Sequence, residues 1–251
     1  MKKGLAIVAL AGLAGLASAA PIMINESAVG GGSYTLNPGN LSPTVFSAPS
    51  PTFSNNALAY IHAQLQGDGV NTNNIVTIIA GDTDDGLALF ALIDEEVAGF
   101  KTFDARLDLV AVAHDANNDG ITGWVNDNGG ELVQVANSNP VAGTYTFNTT
   151  FQWDTNGKGD AMALSDLDVG DNGSLVFNPL QGYGSFGVSR GFQYVSFDNG
   201  VWHVVGTGQF NGSLANPTST SLDWRVIPLP HAGAMSLAGL GLIGVRRRRS
   251  M

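Results

Sequence analysis

From residue 144 to residue 153 the chain alternates between large aromatic and small polar side chains. Tyr145, Phe147, Phe151 and Trp153 fall on one face, and Thr144, Thr146, Asn148, Thr150 and Gln152 on the other. Successive side chains of a strand point to opposite faces, so this run predicts a strand with one buried face and one wetted face. Such a strand cannot stand alone, because its aromatic face needs a second layer to cover it. Shorter runs of the same kind fall at 58–65, 75–80, 87–93, 105–113, 131–135 and 174–177. Two more, 194–197 and 201–205, flank Asp198-Asn199-Gly200, and Asn-Gly accepts the positive φ angles of a tight hairpin. Residues 222–227 predict the last strand.

The one helical candidate of note is 160–167, short and acidic. Strands that follow one another without intervening helices argue against α/β folds and for an all-β protein, an antiparallel β-sandwich with jelly-roll-like winding. Composition agrees, since 33 glycines in 251 residues suit frequent turns, and only 13% of the chain is charged. The layout is a signal peptide over 1–19, a loosely ordered Pro/Gly/Ser/Asn-rich leading segment over 20–56, a β-sandwich domain over 57–227 and a C-terminal sorting segment over 228–251.

Both ends carry transport signals. Lys2 and Lys3 precede an apolar stretch, and Ala17 and Ala19 put small residues at the two positions a signal peptidase reads, which predicts export and cleavage after Ala19. At the other end Pro228, Leu229 and Pro230 precede an apolar run over 232–245, followed by Arg246, Arg247, Arg248 and Arg249. Apolar residues stall in a bilayer while the four arginines resist translocation, so this tail predicts a hydrophobic C-terminal helix held in the membrane with the proline segment outside. The run is shorter than the roughly 20 residues of a comfortable span, and residues 227–230 or local bilayer thinning would make up the difference.

The order of these tail elements, Pro228-Leu229-Pro230, an apolar helix and Arg246 to Arg249, resembles the PEP-CTERM sorting signal of bacterial exosortase systems. Leu229 stands where the family motif has Glu. The resemblance covers about the last 25 residues and implies export, a stay at the membrane and an exosortase-like processing enzyme.

Six of the eleven basic residues lie in the terminal signals, so the body sets five against 21 acids, a net of −16. So acidic a body repels phosphate backbones, which argues against nucleic acid and favours cations or cationic partners. There is no cysteine, so extra stability has to come from the core, a metal or assembly.

Asp115-Ala-Asn117-Asn-Asp119-Gly120 matches the start of a calcium loop, in which alternate oxygen side chains point inward and glycine permits the turn. Asp115, Asn117 and Asp119 would supply side-chain oxygens and Ile121 its carbonyl, although position twelve is Asn126 rather than Glu. The competing reading is an ordinary Asp/Asn/Gly turn. Weaker versions lie at 82–86, at 154–160 and around Asp166, Asp168 and Asp171. Gly187-Val-Ser189-Arg-Gly191 spells a hydrolase elbow, followed by Asp198 and His203, and residues 182–187 spell a dinucleotide fingerprint, but both motifs require a following helix where strands are predicted. His62, His114, His203 and His231 have no metal spacing, and Asp94, Glu95, Glu96 and Glu131 provide only the acids that any acidic chain offers. Trp124, Trp153, Trp202 and Trp224 suit core positions, with sugar stacking as the alternative.

No catalytic residues are assigned. The sequence therefore predicts a non-enzymatic exported cell-surface or extracellular-matrix protein, anchored transiently or stably through its tail. The alternatives are a carbohydrate-binding or other adhesive β-sandwich module, with polysaccharide as its partner, and, after it, an exported hydrolase. Expected partners are the export machinery, signal peptidase, an exosortase-like enzyme and the membrane.

Overall fold

The computed structural model describes residues 20–27, 31–42, 46, 55–73, 75–93, 105–126, 133–134, 143–153, 160–181, 191–213 and 216–229. The signal peptide with Ala17 and Ala19, and the tail from Pro230 through Arg246 to Arg249, lie outside the described residues. Among the described residues no helix is long and apolar enough to cross a membrane.

The chain is mostly β. In order it forms β1 (Ile22–Glu26), β2 (Ser33–Leu36), β3 (Gly39–Asn40), α1 (Asn55–Gly67), β4 (Val76–Thr83), β5 (Gly86–Ile93), β6 (Ala105–His114), β7 (Thr122–Val125) and β8 (Val133–Gln134). There follow β9 (Thr144–Trp153), β10 (Asp160–Leu167), β11 (Asn172–Gln181), β12 (Phe192–Asp198), β13 (Val201–Gly208), β14 (Gly212–Ser213), β15 (Asn216–Pro217) and β16 (Thr220–Val226). A first sheet runs β2-β1-β16-β11-β6-β9-β8 and a second β13-β12-β4-β5-β10-β7, with β3 beside β4. Pairing is antiparallel except that β12 and β3 each run parallel to β4, so the sheets are not antiparallel throughout.

Two apolar layers follow from this arrangement. Between the sheets lie Ile22, Ile24, Leu109, Phe147, Phe151, Phe177, Phe192, Tyr194 and Trp224. On the other side of the second sheet, α1 sets Leu58, Ile61 and Leu65 against Ile79, Phe90, Leu92, Val195 and Trp202. The second sheet is thus covered on both faces, and β4, β5 and β10 are almost continuously buried instead of alternating.

That double burial accounts for two corrections. Residues 160–167, expected to be helical, form strand β10, hydrogen-bonded between β5 and β7. Their Ala, Met and Leu favour helix intrinsically, but the ladders on both sides override so weak a preference. Residues 58–65, expected to be a strand, lie in α1, where Ala57, Leu58, Ile61, His62 and Leu65 are the buried positions, at the spacing of one helical face. The leading segment also holds more order than composition suggests. β1 lies inside the first sheet, Ile22 opposite Val226 and Ile24 opposite Trp224, and Leu36, Leu41 and Phe46 are buried, so the core begins at Ile22 and not near Ala57.

The remaining strand expectations match. β9 spans the expected residues, with Phe147 and Phe151 buried and Asn148 exposed, although Thr146 is half-buried where full exposure was expected. Of 131–135, residues 133 and 134 form β8. β12 and β13 join through Asn199 and Gly200 at φ 54° and 85°, the left-handed pair of a type I′ hairpin.

Candidate functional site

The outer face of the first sheet is wetted and polar. Register sets Met23, Arg225, Asn172, His114 and Thr144 in one row across five strands, with Asn25, Asp223, Ser174, Val112 and Thr146 in the next. An open concavity of about 690 Å³ lies among these rows, lined by Asn25, His114, Asn172, Ser174, Asp223 and Arg225, with Gly170, Ile227 and Pro228 also on its wall. Most of its polar groups have capacity to spare. Asn172 Nδ2 donates to the Gly170 carbonyl at 3.1 Å, leaving its own oxygen open, and His114 Nδ1 meets Thr144 Oγ1 at 3.1 Å, leaving Nε2. One guanidinium nitrogen of Arg225 rests 3.2 Å from the sulfur of Met23, a weak acceptor that leaves the other donors open.

The Asp115 loop is closed by its own backbone. Asp115 Oδ1 accepts N–H bonds from Asn117 at 3.0 Å and Asn118 at 2.5 Å, and Oδ2 accepts one from Gly120 at 2.9 Å. Asn117 and Asp119 point to solvent and the Ile121 side chain is buried. Next to the loop, buried Asp171 accepts N–H bonds from Ala116 and Asp168, each at 2.8 Å, which ties the loop to the β10–β11 turn. Loss of hydration is the largest cause holding Asp119, Asp166 and Asp171 above the usual aspartate range. Repulsion adds to it, from Asp115 and Asp168 at Asp119 and Asp171, and from Asp85, Asp119 and Asp168 at Asp166. Among the described residues no three His, Cys, Asp or Glu side chains are gathered to hold a metal ion. The 82–86 stretch is likewise a turn, with Thr83 Oγ1 donating to the Gly86 carbonyl at 2.8 Å.

The remaining candidates separate. Ser189 and most of both glycine strings lie outside the described residues, as do Lys158, Asp94, Glu95, Glu96, Glu131 and His231. His203 Nε2 does meet Asp198 Oδ2 at 3.2 Å, but on the exposed hairpin, and the nearby Ser196 Oγ donates to Asp198 at 3.1 Å rather than to the histidine. Among the described residues no serine hydroxyl meets His203. His62 is buried beside Thr72. Trp124, Trp202 and Trp224 are buried, which removes them as an exposed sugar-stacking platform.

The concavity was not legible in the sequence. Its six polar side chains come from four strands and are common residue types without motif spacing. Compared with known proteins, the chain matches no family model, no curated protein and no solved structure.

Proposed function

We propose that the protein is a non-enzymatic component of the cell surface or extracellular matrix, exported by its N-terminal signal and held at the envelope through its tail, stably or until an exosortase-like enzyme acts near Pro228-Leu229-Pro230. The β body is, in this reading, a jelly-roll-like scaffold carried outward. One observation supports it most. The N–H of Ile227 donates to the carbonyl of Pro21 at 3.0 Å, so the residues next to the expected cleavage point and next to the expected tail lie side by side. The pairing of β1 with β16 sets residues 21 and 227 at one end of the body, an arrangement that suits a domain exported behind one apolar segment and held by another.

Replacing Arg246 to Arg249 by serine removes the stop to translocation and is expected to move protein from the membrane fraction to the medium. Unchanged membrane association in fractionated cells overturns the sorting reading.

A further inference from the structure

The geometry points to a binding site for a neutral, polyhydroxylated chain, a segment of neutral polysaccharide, in the concavity on the outer face of the first sheet. This goes beyond the reading above, since an anchored scaffold needs no ligand. Three features carry it.

The first is chemistry. Asn25, Ser174 and Asp223 make no side-chain hydrogen bond among the described residues, and Arg225, Asn172 and His114 each keep unused capacity. Donors and acceptors therefore stand together on neighbouring strands about 4.8 Å apart, and vicinal hydroxyls, which both donate and accept, satisfy such a mixed set better than a ligand of one polarity.

The second is charge. In a body of net −16, the concavity pairs one cation, Arg225, with one carboxylate, Asp223. A locally neutral site in an acidic body repels polyanions at long range and offers a polycation no cluster of acids, so a neutral polar chain fits it best.

The third is shape. The concavity is open, so an interior stretch of a long chain can lie across it, and its 690 Å³ is within the range of small-ligand sites, roughly 300–1,000 Å³. Asp223 is the sole carboxylate among its described lining residues, and glycoside cleavage ordinarily needs two, so the arrangement suits retention rather than hydrolysis.

Calorimetric titration of the full chain in mild detergent tests this, with hexasaccharides of glucose, xylose and mannose as neutral probes and oligogalacturonate as the anionic one. Saturable binding of at least one neutral hexasaccharide is expected, with affinity falling about tenfold or more in Asp223→Ala and in Asp223→Asn, because both remove a charged acceptor. Asn148→Ala, on the same face but outside the concavity, should leave affinity unchanged, and all three variants should keep the wild-type melt. The proposal is overturned if no neutral probe binds at millimolar concentration, if Asn148→Ala weakens binding as much as Asp223→Ala, or if oligogalacturonate is preferred. Two Asp223 variants guard against a folding defect in one, and the sugar panel on wild type stands without either.

Discussion

The hydroxyl of Tyr194 on β12 donates to Oε1 of Glu26 on β1, a hydrogen bond that crosses from one sheet to the other. Tyr34 stacks on the Tyr194 ring, centroids 4.3 Å apart, and its ring and the Glu26 carboxylate fill the space that side chains at Gly206 and Gly208 would need. Four elements thus meet at one edge of the sandwich, where β2 and β13 are the outermost strands of their sheets.

Burial first, and the Glu26 carboxylate second, hold the Tyr194 hydroxyl well above the ordinary tyrosine range. An unfolded tyrosine ionises near pH 10, so a folded state that keeps Tyr194 protonated is fully stabilised below that pH and loses the stabilisation as pH rises above it. The melting temperature should fall above about pH 10, and less steeply in Tyr194→Phe. In an absorbance titration, one of the five tyrosines should ionise only on unfolding. At neutral pH Tyr194→Phe should cost about 1–3 kcal/mol, because Oε1 of Glu26 loses the Tyr194 donor. Equal alkaline slopes for both proteins count against the assignment.

Phe147 on β9 packs its ring over Gly123 on β7, where an added Cβ would stand 2.6 Å from the ring. Phe147→Ala should therefore cost on the order of 3 kcal/mol by opening a cavity. Gly123→Ala should destabilise by overfilling the same contact, and Asn148→Ala, on the solvent face, should change little. Denaturant melts in which Phe147→Ala and Asn148→Ala lose equally would show that the strand faces are reversed.

The acidic end of the sandwich should respond to protons and to calcium in the same direction. Because Asp166 and Asp171 are raised, their protonated forms favour the folded state. The stability they contribute is present at low pH and is lost as pH rises through their folded values. Mild acidification from pH 7 towards the aspartate range should accordingly raise the melting temperature. Millimolar calcium at pH 7 should also raise it, by neutralising the same crowded oxygens, with magnesium a poor substitute. Asp119→Ala should abolish the calcium increment while leaving the metal-free melt almost unchanged. If calcium leaves wild type unmoved, or shifts wild type and Asp119→Ala alike, the 115–126 loop is only a turn and no ligand set.

Local chemistry determined some features by itself. The alternation of β9 was readable because the first sheet has one dry face and one wet face, and Asn199-Gly200 announced its hairpin because few residue pairs accept two positive φ angles. What the sequence left open follows from contacts between distant segments. Burial on both faces, Met162 and Leu164 in the layer between the sheets and Ala161 and Ala163 in the layer beyond the second, erased the alternation of β10, and its ladders with β5 and β7 made a strand of helix-forming residues. Pairing with β16, some 200 residues away, drew Ile22 and Ile24 into the core from a stretch whose composition reads as loose. The concavity is the same kind of feature. Asn25, His114, Asn172 and Asp223 are unremarkable in the chain, and they become neighbours only because β1, β16, β11 and β6 lie side by side in an order that no local pattern encodes.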